Sequence, residues 1–265
     1  MLPPASSEEP SSFRQAGSPV RSFRHFHQLD STNRWAVEHG AEFSDEQLPL
    51  LVLADHQTAG RGRGDRSWHA DAGTLTFSLL EGLKRLQLQR ATASRIALVA
   101  GLSVAEAIES FVPPLSARIK WPNDVQVAGR KVCGILVEAA GSAVDRVVIG
   151  IGVNVSTDFS TAAEDVRQRA GSLAEIANRP LARNELLELL VERLAENTAR
   201  MAEEFPELIA AIRQRCLLSG KQVTLQRGRE SLRGWCRGID EAGALRIDDG
   251  HTVHHVESGE IVRLV

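Results

Sequence analysis

Hydrophobic residues recur along this chain at two different spacings, which predict strands in some segments and helices in others. Residues 48–54 form a dense apolar run, and in 73–80 apolar residues alternate with hydroxylated ones, as in a half-buried strand. Residues 92–111 carry apolar side chains at helical spacing instead, and so do residues 182–200. A further helix is expected to run through Cys216.

The middle of the chain predicts three successive antiparallel strands. They cover residues 117–127, 131–138 and 147–155, and turns are expected at Gly129 and at Gly141. The pattern therefore predicts a sheet that is covered by the long helices.

Near the start of the sequence, Phe23 and Phe26 open a short strand, and the polar residues 30–33 precede a short helix over 35–40. Four polar residues are more than a helix cap needs, and their hydroxyl and amide groups also suit a ligand such as a urea or an amide. From the residues alone, the helix cap is the favoured interpretation.

Beyond Gly220 the chain consists of short β segments joined by turns that contain glycine and aspartate. Four strands are expected there, and they predict a barrel so small that it should pack on the main domain. We therefore expect a disordered tail at 1–20, a main domain at 21–218 and a barrel domain at 219–265.

A loop rich in glycine and arginine, residues 57–68, lies between the two apolar runs. Glycine permits a close backbone approach, and each arginine supplies a cationic fork for carboxylate or phosphate, so the loop is predicted to bind an anion. An arginine–glycine segment that binds RNA is the alternative. Such segments lie in low-complexity stretches, whereas this one is short and is closed by Trp68.

Composition and charge narrow the classes of function. The chain has 265 residues, 43% of them hydrophobic, and its formal net charge of −3 argues against a general affinity for nucleic acid. Its three widely spaced cysteines fit a reducing cytoplasm better than a disulfide framework or a metal site. No segment resembles a membrane span, an export signal or a helix-turn-helix. We expect a cytoplasmic protein that binds neither DNA nor membranes.

Several single residues carry candidate chemistry. Lys120 precedes a proline that interrupts strand pairing, and taken alone it is most simply a surface lysine. Gly150 and Gly152 interrupt an apolar strand, which indicates that a ligand or a neighbouring element approaches the backbone closely, and Asn154 lies nearby. Cys133 is predicted to be a buried small hydrophobe and not a nucleophile.

Five motifs, in this order and with this spacing, resemble those of the biotin protein ligases. They are residues 30–33, 60–68, 120–124, 131–138 and 150–155. The resemblance extends from the first strand through the predicted barrel. No single motif is decisive, but the ordered set is specific.

The resemblance implies an α+β fold, in which a mixed sheet of seven strands with helices on one face forms the catalytic domain and a small SH3-like β-barrel follows. It also implies a monofunctional ligase without a DNA-binding module. Such an enzyme activates biotin with ATP and Mg²⁺ to biotinyl-5′-AMP, and then transfers biotin to a lysine of a biotin carboxyl carrier protein, such as that of acetyl-CoA carboxylase. Monomer and homodimer are both open.

The same resemblance implies roles for individual residues. The implied biotin-binding residues are Ser31, Thr32, Asn33, Gln57, Arg61, Gly62, Arg63 and Lys120. The implied ATP-binding residues are Arg63, Trp68, Lys120 and Asn154. Lys120 and Arg63 are implied to be catalytic, and no protein ligand for a metal is implied.

One departure and one rival qualify this interpretation. The family's loop usually reads Gly-Arg-Gly-Arg-x-Gly-Arg, whereas here Gly64 precedes Asp65, which leaves the role of Arg66 open. The rival is a lipoate or octanoyl ligase or transferase of the same fold. Its apolar acyl chain needs no polar cluster for a urea group, and a transferase needs a cysteine or lysine nucleophile.

Overall fold

The computed structural model describes residues 18–88, 93–140 and 145–264. Most of the expected tail and the turn expected at Gly141 lie outside these ranges. Val20, the last residue of the expected tail, is buried in the core. The packed chain therefore starts slightly before residue 21.

A mixed sheet of seven strands organises the main part of the chain, as the resemblance implied. The strands are Ser22–Leu29 (β1), Leu50–Gln57 (β2), Thr74–Gly82 (β3), Ala117–Lys120 (β4), Asp124–Val127 (β5), Arg130–Ala139 (β6) and Arg146–Asn154 (β7). Their order across the sheet is β1-β2-β3-β7-β6-β5-β4. Only β1 and β2 pair in parallel among these strands, and the other neighbours are antiparallel.

The prediction of a single strand over 117–127 is wrong. The chain forms a hairpin there, in which β4 and β5 pair with each other across a turn at 121–123. Pro122 lacks the N–H group that a continuous strand would need, so the chain reverses at this point. The middle of the chain therefore supplies four strands and not three.

Six helices accompany the described strands. They are Thr32–His39 (α1), Ala93–Phe111 (α2), Glu164–Arg169 (α3), Leu173–Ala177 (α4), Arg183–Arg200 (α5) and Phe205–Arg215 (α6). The long helices agree with the predicted ones within a residue or two. Helix α1 begins at Thr32 and not at residue 35, because Ser31 is its N-cap.

Side chains alternate between the two faces of the sheet, and each face builds its own core. Leu51 and Leu53 of β2 belong to the large core that also holds α2 and α5. Leu50 and Val52 belong to a smaller core beneath α1. The expectation of helices on one face is therefore corrected, because α1 packs against the face opposite to α2.

A second, antiparallel sheet of five strands ends the chain, and we call it the C-terminal sheet. Its strands are Gln222–Arg227 (β8), Glu230–Ile239 (β9), Leu245–Asp248 (β10), Val253–Val256 (β11) and Glu260–Leu264 (β12), in the order β11-β10-β9-β8-β12. Strand β11 was not expected, because its sequence, Val-His-His-Val, has no apolar alternation.

The C-terminal sheet packs on the main sheet through a shared core. Val223 and Leu245 belong to the same buried cluster as the residues of α2. The indole of Trp121 is buried, and its Nε1 donates a hydrogen bond to the carbonyl of Gly243 at 3.2 Å. The β4–β5 turn is thereby tied to the β9–β10 connection.

We predict that Trp121→Phe lowers the free energy of unfolding by about 2–4 kcal/mol, because it leaves a cavity and removes the donor to a buried carbonyl. Urea unfolding followed by circular dichroism measures this change. The control is Trp235→Phe, since Trp235 is 50% exposed and its loss should change stability by less than about 0.5 kcal/mol. Equal effects of the two substitutions would show that the contact of Trp121 with Gly243 does not stabilise the packing of the two sheets.

Candidate active site

A cavity of about 640 Å³ opens on the main sheet between the glycine-rich loop, the β4–β5 hairpin and the C-terminal sheet. Side chains at the start of α1 line one part of it, which we call the α1 end, and Lys120 and residues 258–261 line another part, which we call the Lys120 end. The cavity holds most of the residues that the sequence singled out. Ser31, Thr32, Asn33, Gln57, Arg61, Gly62, Arg63, Trp68 and Lys120 all line it.

The glycine-rich loop, residues 60–68, is folded back on itself. Gly62 N donates to the carbonyl of Arg66 at 2.7 Å, and Trp68 N donates to the carbonyl of Gly60 at 2.8 Å. A Cβ atom at Gly60 would lie 2.6 Å from the Trp68 carbonyl oxygen, so glycine is required there. The loop is a folded hairpin, unlike the low-complexity arginine–glycine segment of the RNA-binding alternative.

The start of α1 presents polar groups to the sheet. The side chain of Ser31 accepts a hydrogen bond from Arg34 N and so caps the helix, as expected. Thr32 donates from its backbone N to Gln57 Oε1 at 2.7 Å. Ser78 Oγ contacts Thr32 Oγ1 at 2.8 Å and Asn33 Oδ1 at 2.9 Å. Only Ser31 is needed to cap the helix, so Thr32 and Asn33 remain available to form a polar cluster. The helix cap and the polar cluster are therefore both present.

Glu138 continues this network toward the loop. Its Oε2 accepts from Asn33 Nδ2 at 2.6 Å, and its two oxygens accept from the guanidinium of Arg61 at 2.9 and 3.1 Å. Neither Glu138, which ends the motif at 131–138, nor Ser78 was among the predicted site residues. A glutamate in an otherwise apolar strand was the available signal for Glu138, whereas Ser78 looked like any small strand residue.

The ring of Trp68 lies directly on the backbone of β6 and β7. A Cβ atom at Gly152 would come within 2.5 Å of the indole, and one at Gly134 within 2.8 Å. Gly150 is covered in the same way by the side chain of Asn33. The strand glycines are therefore explained by neighbouring elements that approach the sheet. Lys131 Nζ stands 5.6 Å from the centre of the Trp68 ring.

Two half-buried cations lie at the other end of the cavity. Lys120 Nζ donates to the carbonyl of Ile261 at 3.3 Å, and Arg63 donates to the carbonyl of Gly259 at 3.2 Å. Burial lowers the pKa of Lys120, and Lys131 adds to this while Asp124 opposes it. Within the part of the chain that the structure describes, neither cation forms an ion pair. The arrangement suits an anion.

Arg66 and Glu260 form an ion pair between the glycine-rich loop and the C-terminal sheet. The unusual order of Gly64 and Asp65 had left the role of Arg66 open, and this ion pair gives it a structural contact. Gly64 adopts a positive φ of 63° at the tip of the loop, where a turn requires it, and Asp65 is exposed. The loop is therefore held to the C-terminal sheet by Arg66 and to strand β6 by Arg61.

The structure does not bring Asn154 into the cavity. Its Nδ2 donates to the carbonyl of Lys131 at 3.2 Å, and it is absent from the residues that line the cavity. Asn154 therefore contacts Lys131, which lines the cavity, and does not line the cavity itself. Cys133 is fully buried, and burial raises the pKa of its thiol, so it is not a nucleophile.

Known protein families and individual relatives match most of this chain, and they belong to the family that the five motifs resemble. Residues 25–154 match the biotin/lipoate A/B protein ligase family, and residues 218–264 match the biotin protein ligase C-terminal domain. The biotin–[acetyl-CoA-carboxylase] ligase of Mycobacterium tuberculosis is 33% identical, over 94% of this chain and 91% of its own length. The corresponding ligase of Paracoccus denitrificans is 33% identical over 82% of this chain and 90% of its own length.

Solved structures agree with these relatives. A biotin protein ligase from Aquifex aeolicus, in complex with biotin and ATP, superimposes with a TM-score of 0.79 and 30% identity. The match covers 93% of this chain and 99% of that one.

We predict that Gly152→Ala displaces the Trp68 ring from the sheet, because the added methyl group would overlap the indole. Acrylamide quenching of tryptophan fluorescence should rise as the indole becomes accessible. The matched control is Gly82→Ala, another strand glycine, where a Cβ would meet its nearest neighbours at 3.6 Å, which is an ordinary contact. If quenching rises no more in the first variant than in the control, Trp68 does not lie on Gly152.

Proposed function

Because the chain belongs to the biotin protein ligase family, we propose that its cavity binds biotin at the α1 end and the phosphates of ATP at the Lys120 end. The activity is ATP-dependent formation of biotinyl-5′-AMP, followed by transfer of biotin to a carrier protein. One observation carries the placement of the two substrates: uncharged polar side chains of α1 and two cations, which form no ion pair among the described residues, line different parts of one cavity.

The polar cluster suits the ureido ring of biotin. Such a ring offers two N–H donors and one carbonyl acceptor, and the side chains of Ser31, Asn33 and Gln57 offer the complementary groups. Arg61 and Gly62 line the same end of the cavity, and Glu138 holds Arg61 in place. Fixed hydrogen-bonding groups of this kind reject a ligand that leaves them unpaired.

The cations of Lys120 and Arg63 suit the reacting groups. A carboxylate oxygen of biotin attacks the α-phosphorus of ATP, and pyrophosphate leaves with the electrons of the broken bond. Two anions must approach each other in this step, so fixed positive charge lowers their repulsion and stabilises the charge that develops. In the second step the amine of a carrier lysine attacks the acyl carbon, and AMP leaves.

Trp68 and Asn154 are proposed to serve the nucleotide in different ways. Trp68 offers an aromatic ring near Lys131 and lines the cavity, so we infer that it contacts the adenosine part of ATP. Asn154 is a positioning residue, because its side chain holds the carbonyl of Lys131. Lys131 in turn is paired with Asp124 at 2.6 Å.

Magnesium fits this site as a companion of ATP. Asp65, Asp124 and Glu260 are the carboxylates that line the cavity, and the last two are already engaged by Lys131 and Arg66. Mg²⁺ is commonly bound by one or two carboxylates together with phosphates and water, so this donor set suits an ion that ATP brings with it. When bound, the ion neutralises part of the charge on the phosphates.

The rival functions lack support at this site. A lipoyl or octanoyl chain is apolar and would leave the α1 cluster unpaired, and the buried thiol of Cys133 cannot serve a transferase. RNA binding would need an accessible arginine–glycine segment, whereas Arg61 and Arg63 are turned into the cavity.

The proposed partner is a biotin carboxyl carrier protein of acetyl-CoA carboxylase or a related carboxylase. A cytoplasmic location fits this partner. None of the described helices is both long enough and apolar enough to cross a membrane. Monomer and homodimer remain equally compatible with the proposal.

The direct test is to incubate the protein with biotin, MgATP and a biotin carrier domain, and to look for covalent biotin on the carrier. In the same assay Lys120→Ala should lower adenylate formation by about 100-fold or more, while biotin affinity changes by less than about tenfold. Pyrophosphate release and calorimetry measure the two quantities. Lys84→Ala is the control, since Lys84 is 79% exposed and lies outside the cavity.

Equal losses of biotin affinity and adenylate formation in Lys120→Ala would make Lys120 a binding or structural residue. The pH profile gives an independent check. Because burial lowers the pKa of Lys120, its charge is lost at a lower pH than that of an exposed lysine. Adenylate formation should therefore fall as pH rises through this range, and Lys120→Arg, which keeps its charge, should remove the fall wherever it retains activity.

We further predict that Arg63→Gly releases biotinyl-adenylate into solution. Arg63 connects the glycine-rich loop to Asn123 and to the carbonyl of Gly259, so its loss frees the loop that covers the intermediate. The variant should bind biotin less tightly and should biotinylate serum albumin when mixed with biotin and MgATP. Arg237→Gly is the control, because Arg237 is exposed and pairs with Asp248 far along the chain from the loop. A variant that forms adenylate yet labels albumin no more than wild type does would show that Arg63 does not hold the loop over the intermediate.

A further inference from the structure

Three side chains with metal-binding groups meet at the edge of the main sheet, outside the cavity. His25 and His27 are two residues apart on β1, and Asp55 stands on the adjacent strand β2. They form the one group of three potential ligands found within residues 18–88, 93–140 and 145–264. None of them lines the cavity, and the ligase chemistry does not use them.

The parallel pairing of β1 and β2 creates this group. Phe26 pairs with Ala54, and Gln28 pairs with His56, which places Asp55 opposite His27. Leu53, two residues before Asp55, points to the face that carries α2 and α5. Since strand side chains alternate, Asp55 and the odd-numbered histidines share that face.

The donor atoms already converge. His25 Nε2 lies 3.0 Å from Asp55 Oδ1, and His27 Nδ1 lies 3.1 Å from Asp55 Oδ2. All three donor atoms lie within 4.8 Å of one another. Ligands of one Zn²⁺ ion, bound at about 2.0–2.2 Å in a tetrahedral arrangement, are roughly 3.3 Å apart, so only small side-chain rotations separate this cluster from a coordination site.

We propose that His25, His27 and Asp55 bind one divalent transition-metal ion of the zinc class. Two imidazole nitrogens and one carboxylate oxygen are the ligands that Zn²⁺, Co²⁺ and Ni²⁺ accept, whereas Mg²⁺ prefers oxygen alone. His27 is 79% exposed, so water completes the coordination from the solvent side. The site is distinct from the Mg²⁺ that accompanies ATP.

Arg183, the first residue of α5, supports the carboxylate. It donates to Asp55 Oδ1 at 2.9 Å and also to the carbonyls of Ala72 and Thr74, so its place does not depend on Asp55 alone. Partial burial opposes ionisation of Asp55, but the hydrogen bonds of His25 and His27, with the charge of Arg183, lower its pKa below the ordinary value. An outer partner of this kind commonly orients a metal-binding carboxylate.

The location gives the proposed metal a structural role. Strand β1 is an edge strand, and it leads within two residues to Ser31, while Asp55 precedes Gln57 by two residues. An ion that joins β1 to β2 would fix the register of these strands immediately before the polar cluster. The effect on biotin affinity rests on the proposed function, but metal binding itself does not.

The test uses full-length protein freed of metal by a chelator and titrated calorimetrically with Zn²⁺ at pH 7.5. We expect one strong site per chain, and a Co²⁺-loaded protein with the visible absorption bands of nitrogen-ligated cobalt. His25→Gln, His27→Gln and Asp55→Asn should each weaken binding at least tenfold. His27→Gln is the decisive variant, because the exposure of His27 leaves folding unaffected.

The matched controls are His254→Gln and His255→Gln. Each of these histidines also pairs with a single aspartate, at 2.7 and 2.6 Å respectively, but neither belongs to a group of three ligands. Their affinity for Zn²⁺ should equal that of wild type. Absence of binding by wild type at 100-fold molar excess, or equal losses in the controls and in His27→Gln, would overturn the proposal and leave a hydrogen-bonded His–Asp–His cluster.

Discussion

The carboxylate of Glu138 holds together the three parts of the chain that surround the α1 end of the cavity. It stands on β6, accepts two hydrogen bonds from Arg61 of the glycine-rich loop and one from Asn33 of α1. A partly buried ion pair is costly to break, because the remaining charge is left without its partner. Here a break would also release a loop and a helix together. One carboxylate of β6 therefore holds both the loop and the helix, in addition to the contacts that Trp68 and Asn33 make with the sheet.

The fold was predictable where apolar periodicity was strong. The long helices α2 and α5 carry apolar residues at helical spacing, and the strands β2, β3 and β7 are buried at almost every position, so their apolar residues were sufficient. The hairpin of β4 and β5 was not predictable as two strands, because apolar alternation continues on both sides of Pro122. Strand β11 and helix α3 were not predicted for a related reason: only Val256 of β11 is buried and α3 buries no residue, so neither has the apolar periodicity that a core imposes.

The cavity was predictable where a motif had its own chemical character. The glycine–arginine loop and the polar cluster before α1 were visible because their composition departs from that of a core segment. Residues 258–261 line the cavity, and Glu138 and Ser78 hold side chains that line it, only because distant strands pair, which no local pattern reports. Asn154 was implied to bind ATP and lies close to Gly152 in sequence. In the fold its side chain donates to the carbonyl of Lys131 instead of lining the cavity.

The partners of the two central cations explain why the C-terminal sheet belongs to the site. Lys120 and Arg63 are held by backbone carbonyls of Ile261 and Gly259. A carboxylate in either position would also fix the side chain, but it would cancel the charge that the reacting anions require. A carbonyl fixes the geometry and leaves a net positive charge in a site partly withdrawn from water, where that charge acts most strongly. Arg66 and Glu260 also line the cavity, but they pair with each other, so this pair anchors the loop to the C-terminal sheet and adds little net charge beside Lys120 and Arg63.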